Sequence, residues 1–255
     1  MNIPLVQIFG ALLTIGVRLT GIMLFAPFFG GAAVPARVKA VLVITLTALL
    51  YPMLSAQIPQ TSVSQWPMTA FSELLIGIAL GVATNIVFDG AQLAGQVLSV
   101  QMGYSLVSIL DPQTMAESTV VATFHETIAL LIFLRLNVHL WILRALARSF
   151  DYLPPAAGHV RATFALAALQ AGAGVFTIGV QIAAPVLSAT LFTDIALGLL
   201  GKASPQLPLI LLGPAVKSVL GLLILISALK YWPDLFETFF LRSMVTADHL
   251  LHLAQ

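Results

Sequence analysis

Residues 95–117, GQVLSVQMGYSLVSILDPQTMAE, decide the fold of this chain, because they interrupt a very apolar sequence near its middle. The pattern before them predicts a helix that ends near Gly103, since glycine tolerates the backbone angles that stop a helix. Asp111-Pro112-Gln113 then marks a turn, because proline fixes its own φ and biases the preceding residue away from the helical region. Irregular backbone inside a membrane protein is tolerated only where protein surrounds it or where it lines a water-filled cavity. The stretch therefore indicates a pore, a gate or a binding site.

The composition around this stretch is that of an integral membrane protein. Of 255 residues, 59% are hydrophobic and 8% are charged, whereas a soluble domain carries about a quarter charged residues. The formal net charge is +1 and the basic residues are scattered, so we expect no nucleic-acid partner. The chain has no cysteine, which excludes disulfides, thiolate metal sites and cysteine nucleophiles.

The sequence predicts an all-α integral membrane protein with about six long apolar segments, which lie on both sides of the central stretch. A helix needs about 20 apolar residues to cross a bilayer core. The predicted segments are residues 5–25, 41–54, 67–88, 118–150, 164–200 and 209–232, and residues 233–255 predict an amphipathic tail. Residues 118–150 are expected to form one helix. The segment 164–200 exceeds the spanning length, and a break or a bend is expected between Gly179 and Pro185, because proline removes a helical hydrogen bond.

Three charged residues lie within apolar sequence: Arg18, Asp194 and Lys217. Charges inside a membrane are costly and usually face a bundle interior or a partner. We therefore expect these side chains to be paired within the membrane or shielded by neighbouring subunits. Two alternatives stay open, namely that Arg18 reaches a nearby interface and that Asp194 and Lys217 form a proton relay.

No catalytic or metal-binding motif is apparent. His125 and Glu126 are adjacent, but no HExxH or comparable spacing accompanies them, and packing against a partner helix is the favoured interpretation. The chain contains no GxSxG elbow and no GK[ST] phosphate loop. We therefore expect no catalytic residue, no metal and no cofactor.

Four blocks of the sequence resemble the FliR family, a subunit of the bacterial flagellar export gate with a counterpart in virulence type III secretion. They are RLTGIMLFAPFFG with PARVK, GQVLSVQMGYS with DPQT, LNVHLWILRALARSF with LPP, and AAPVL with DIALGLLGKASPQL. The resemblance implies bent helical hairpins, with a FliP-like part in residues 1–155 and a FliQ-like hairpin with its tail in residues 156–255.

The same resemblance implies partners and a place in the cell. One FliR-like chain joins FliP-like and FliQ-like subunits in a hetero-oligomeric gate, near other export apparatus membrane proteins such as FlhB. The gate lies in the bacterial inner membrane at the flagellar basal body and passes unfolded proteins. The implied function is that of a non-enzymatic subunit that helps to form and close this channel. A small-molecule secondary transporter or channel, and an intramembrane enzyme, are the alternatives.

In the family, the loop after the QMG-type motif is a plug within the channel. It corresponds here to Met102, Gly103, Tyr104, Leu106, Val107, Ile109, Leu110, Asp111, Pro112 and Gln113. On the helix before it, Gln92, Gln96 and Ser99 share a face with Asp89 and Gly103. These uncharged polar side chains hydrogen-bond water without attracting ions strongly, so we expect them to face the passage.

Overall fold

A computed structural model describes residues 5–27, 30, 34–55, 62–104, 119–152, 162–204, 206 and 209–253 of the chain. Within these ranges every regular element is a helix. They are α1 (Leu5–Phe25), α2 (Ala36–Leu54), α3 (Trp66–Gln101), α4 (Val120–Arg135), α5 (Val138–Tyr152), α6 (Ala162–Ala203), α7 (Leu209–Ala228) and α8 (Trp232–Leu253), with short 3-10 helices at Val63–Gln65 and Leu229–Tyr231.

The helices confirm the predicted fold class. In the described part of the chain, five helical stretches are long and apolar enough to cross a membrane, or six if the bent pair α4–α5 counts as one span. Several are longer than a crossing needs: α3 has 36 residues, or about 54 Å at 1.5 Å per residue. A hydrocarbon core is about 30 Å thick, so α3 extends well beyond one perpendicular crossing.

The expected single helix over residues 118–150 is wrong, because the chain bends by 67° between α4 and α5. Asn137 lies at this bend with a φ of 54°. Its amide donates to the carbonyl of Leu134 at 3.1 Å, and its own carbonyl accepts from the amide of Leu140 at 3.0 Å. Asparagine is one of the few residues that adopt left-handed backbone angles readily, so it ends one helix and starts the next.

Of the expected break or bend between Gly179 and Pro185, the break is wrong, because α6 continues as one α-helix from Ala162 to Ala203. Proline removes one backbone hydrogen bond from such a helix. A full break would leave several backbone groups unpaired, which costs several kcal/mol each in an apolar environment. Continuing the helix around Pro185 is therefore the lower-energy solution.

The described helices form two compact units. The first comprises Met1–Ile86, Phe133–Ala173 and Phe240–Gln255. Gly21 of α1 and Gly77 of α3 meet in it: a β-carbon added to Gly21 would lie 2.9 Å from Cα of Gly77 and 2.7 Å from the carbonyl oxygen of Leu74. Small residues permit this close approach. The core around it contains Ile15, Leu19, Ile22, Ile76, Leu80, Leu146, Phe150, Ala247 and Leu250.

The second unit comprises Val87–Ile132 and Gly174–Phe239. Here the second half of α3 lies close to α4 and α6, because glycines on its surface leave room for both. A β-carbon added to Gly90 would lie 2.6 Å from Ile178. One added to Gly95 would collide with the backbone of Ala122. The end of α3 is thereby held among several helices of this unit.

Candidate functional site

The end of α3 is a complete Schellman turn. Gly103 has a φ of +85° and its amide donates to the carbonyl of Val100 at 3.1 Å. The amide of Tyr104 donates to the carbonyl of Ser99 at 2.9 Å. These two bonds satisfy carbonyls that a helix end otherwise leaves unpaired, and the left-handed position favours glycine. The predicted helix end near Gly103 is confirmed.

This turn packs tightly on α7. A β-carbon added to Gly103 would lie 2.8 Å from Cβ of Pro214, and one added to Gly221 would lie 2.8 Å from Cε of Met102. Met102 itself is 1% exposed, so its side chain is fixed in the protein interior. The hydroxyl of Ser218 donates to the Tyr104 hydroxyl oxygen at 2.6 Å.

A charged pair lies beside the turn. Nζ of Lys217 is 2.8 Å from Oδ1 of Asp194, and Nε2 of Gln101 donates to Oδ2 of Asp194 at 3.1 Å. The Lys217 side chain is 19% exposed and that of Asp194 is 41% exposed. The structure thus brings together Asp194 and Lys217 and adds Gln101, the last residue of α3.

The three residues expected to face a passage have different surroundings in this chain. Gln96 is exposed, Gln92 is half-buried and Ser99 is fully buried. Ser99 donates its hydroxyl proton to Oγ1 of Thr119 at 2.7 Å, so its side chain is occupied within the unit. The other residues of the expected plug lie outside the described ranges: Leu106, Val107, Ile109, Leu110, Asp111, Pro112 and Gln113.

Arg18 has its partners within its own chain. Its guanidinium is fully buried, and Nε donates to Oε2 of Glu73 at 2.5 Å. Nη1 donates to Oγ of Ser149 at 2.9 Å, and Cζ lies 4.0 Å from the centre of the Phe150 ring. The side chain therefore joins α1, α3 and α5, and it does not reach the surface of this chain.

Sequence reasoning missed four of the residues around the turn, namely Gln101, Pro214, Ser218 and Gly221. Pro214, Lys217, Ser218 and Gly221 are spaced as i, i+3, i+4 and i+7, which places them on one face of α7. That spacing was a usable signal, because the face carries a charge, a hydroxyl and a small residue within apolar sequence. The contacts of Glu73 and Gln101 depend on distant parts of the chain and have no local signal.

His125 is placed for packing. Its Nδ1 lies 2.8 Å from the carbonyl oxygen of Val121, and its ring centre lies 4.9 Å from that of Trp232. Among the residues that the structure describes, no group of three or more His, Cys, Asp or Glu side chains is arranged to hold a metal ion.

The sequence of this chain is similar to those of known bacterial export proteins. The model of the family described as bacterial export proteins, family 1, matches residues 9–243. The flagellar biosynthetic protein FliR of Escherichia coli K12 is 32% identical over 80% of this chain and 78% of its own length. That of Pectobacterium carotovorum is 30% identical, covering 88% and 86%. That of Bacillus subtilis is 27% identical, covering 98% and 97%.

Proposed function

We propose that this chain, which belongs to family 1 of the bacterial export proteins, helps to form and close the protein export channel. The proposal starts from its place as a membrane subunit of the flagellar export apparatus. The channel passes unfolded proteins, and the role of this chain in it is structural and non-enzymatic. A small-molecule transporter or channel is not favoured, because the family match covers residues 9–243.

The anchored turn at the end of α3 is the observation that supports a closing role. A loop that blocks a channel needs a fixed starting point. The Schellman bonds hold the backbone of Gly103 and Tyr104, and α7 contacts both residues through Pro214 and Ser218. We propose that the following residues form the plug. Its apolar contacts come from Leu106, Val107, Ile109 and Leu110, and the chain reverses at Asp111, Pro112 and Gln113.

The same proposal assigns the wall of the passage to the polar face of α3. Gln96 supports it best, because this residue is exposed in the chain. Gln92 is half-buried and contributes in part. Ser99 lies on the same face but is buried, so its share in the wall requires a rearrangement of its bond to Thr119.

We further propose FliP-like and FliQ-like subunits as neighbours, with one copy of this chain per complex and FlhB nearby, in the inner membrane at the basal body. Large exposed apolar side chains on α6 support a protein or lipid neighbour there: Leu191, Phe192, Ile195 and Leu199. Residues 1–155 would correspond to the FliP-like part and residues 156–255 to the FliQ-like part. Purification should recover these subunits together at unequal copy number; a stable, monodisperse lone chain would contradict this.

The test of the plug is a deletion of residues 106–110 in cells that contain all other subunits. We expect the complex to be recovered at normal yield and the membrane to leak small ions and metabolites, because the apolar seal is lost. The matched control deletes residues 56–60, a stretch of equal length in the connector before α3. An assembled deletion complex in a tight membrane would exclude the plug.

A further inference from the structure

One face of α7 contacts the turn at the end of α3 residue by residue. Pro214 meets Gly103, and Gly221 meets Met102. Between these two contacts, Ser218 donates to Tyr104 and Lys217 pairs with Asp194, which also binds Gln101. The α7 face thus holds the turn through two apolar contacts, with the polar contacts between them.

The apolar contacts set the position of the turn. A β-carbon at Gly221 would lie within 2.9 Å of three atoms of the Met102 side chain, closer than non-bonded atoms approach. Met102 therefore lies directly against the α7 backbone. Because Met102 is 1% exposed, its side chain anchors the turn against α7.

The polar contacts differ from the apolar ones, because their side chains are partly exposed. Asp194 is 41% exposed and Lys217 is 19% exposed, and ion pairs of such exposure contribute little to stability. Both oxygens of the Asp194 carboxylate nevertheless have a partner, one from α3 and one from α7. A weak contact that joins two elements holds them in place and is readily broken and remade.

We propose that a reversible latch holds the Schellman turn at the end of α3 against α7. The latch consists of Gln101, Tyr104, Asp194, Lys217 and Ser218. These are positioning residues: they act on the loop and do not themselves seal the passage. The contacts alone support the claim that the latch holds the turn. The further claim, that opening the latch releases the plug, rests on the proposed function.

The test uses the complete complex, with one thiol introduced into this chain and the labelling measured on this chain. The chain has no cysteine, so Ser105→Cys places one probe directly after the turn. In Lys217→Gln or Asp194→Asn we expect a water-soluble maleimide to label it roughly two- to fivefold faster, which corresponds to about 0.4–1 kcal/mol and fits the small contribution of a partly exposed ion pair. The double change Asp194→Lys with Lys217→Asp should label more slowly than either single variant, because it restores the ion pair. The Gln101 amide can still bind residue 194, because its oxygen accepts from a lysine as its nitrogen donates to an aspartate.

The matched control is Lys202→Gln, which removes an exposed lysine from the end of α6 and should leave labelling unchanged. If either single variant fails to assemble, Ser218→Ala and Tyr104→Phe remove only the hydroxyl contact and should still accelerate labelling. Labelling rates equal to the parent in the assembled variants would overturn the latch.

Ion leakage, measured for the deletion of residues 106–110 and for the latch variants, separates the plug proposal from the latch proposal. If the deletion of residues 106–110 leaks while the latch variants label no faster than the parent, the plug stands and the latch is wrong. If the latch variants label faster while the deletion leaves the membrane tight, the latch stands and the plug is wrong. Faster labelling together with leakage supports both.

Discussion

The Nε atom of Arg18 lies 2.5 Å from Oε2 of Glu73, and neither side chain is more than 1% exposed. The two residues are far apart in sequence and belong to α1 and α3 of the same unit. A charge buried in this way is tolerated because its partner and the Ser149 hydroxyl replace the water it has lost. This pair therefore fixes how α1 and α3 pack.

Replacing only Glu73 should destabilise the complex more than replacing both Arg18 and Glu73. We expect Glu73→Gln to destabilise the complex by roughly 3–5 kcal/mol, because it leaves a buried guanidinium without its counter-charge. Arg18→Met combined with Glu73→Leu should recover most of this loss. Thermal unfolding of the purified complex measures both. Glu126→Gln removes an exposed acid as the control, and a Glu73→Gln complex as stable as the parent would contradict the prediction.

The contact between α1 and α3 allows no side chain at Gly21. Gly21→Ala would place a methyl group 2.7 Å from the carbonyl oxygen of Leu74, a backbone atom that cannot turn away. We expect a loss of about 1–3 kcal/mol from this overpacking. The matched control is Gly172→Ala, which meets nothing within 4 Å and should stabilise its helix by roughly 0.5–1 kcal/mol. Equal melting temperatures for the two variants would show that the helices are not in close contact.

The bend between α4 and α5 depends on the backbone of Asn137. Its φ of 54° disfavours β-branched residues, so Asn137→Val should cost about 1–2 kcal/mol. Asn137→Gly should be tolerated, because glycine adopts this conformation without a steric penalty. The recovered yield and thermal stability of the complex distinguish the two variants. If valine is tolerated as well as glycine, the bend is not set at this residue.

A side chain at Gly103 should disturb the turn that precedes the central loop. Gly103→Ala combines a left-handed φ of +85° with a methyl group 2.8 Å from Cβ of Pro214, and the backbone strain alone is about 1–2 kcal/mol. We expect reduced protein export and increased ion leakage at normal complex yield. Gly198→Ala, which meets nothing within 4 Å, is the control. Normal export and a tight membrane in Gly103→Ala would show that the turn does not control the loop.

Local chemistry accounts for what could be read from the sequence. The apolar composition determines a helical membrane protein, because backbone groups in lipid must be paired within the chain. The helix end at Gly103 was predictable, since the preference of glycine for left-handed angles belongs to the residue itself. The family blocks are likewise visible in the sequence, and the match over residues 9–243 confirms the family that they indicate.

Only the tertiary structure decided the rest, because each outcome depended on the energy or the contacts of the folded chain. Whether Pro185 breaks α6 depends on the energy of unpaired backbone groups in the folded chain, and there the helix continues. Arg18 showed its need for a partner in the sequence, but Glu73 became that partner only because α1 and α3 approach at two glycines. Gln101 and Asp194 likewise meet because helix packing, and not sequence spacing, sets which polar side chains come within hydrogen-bonding distance.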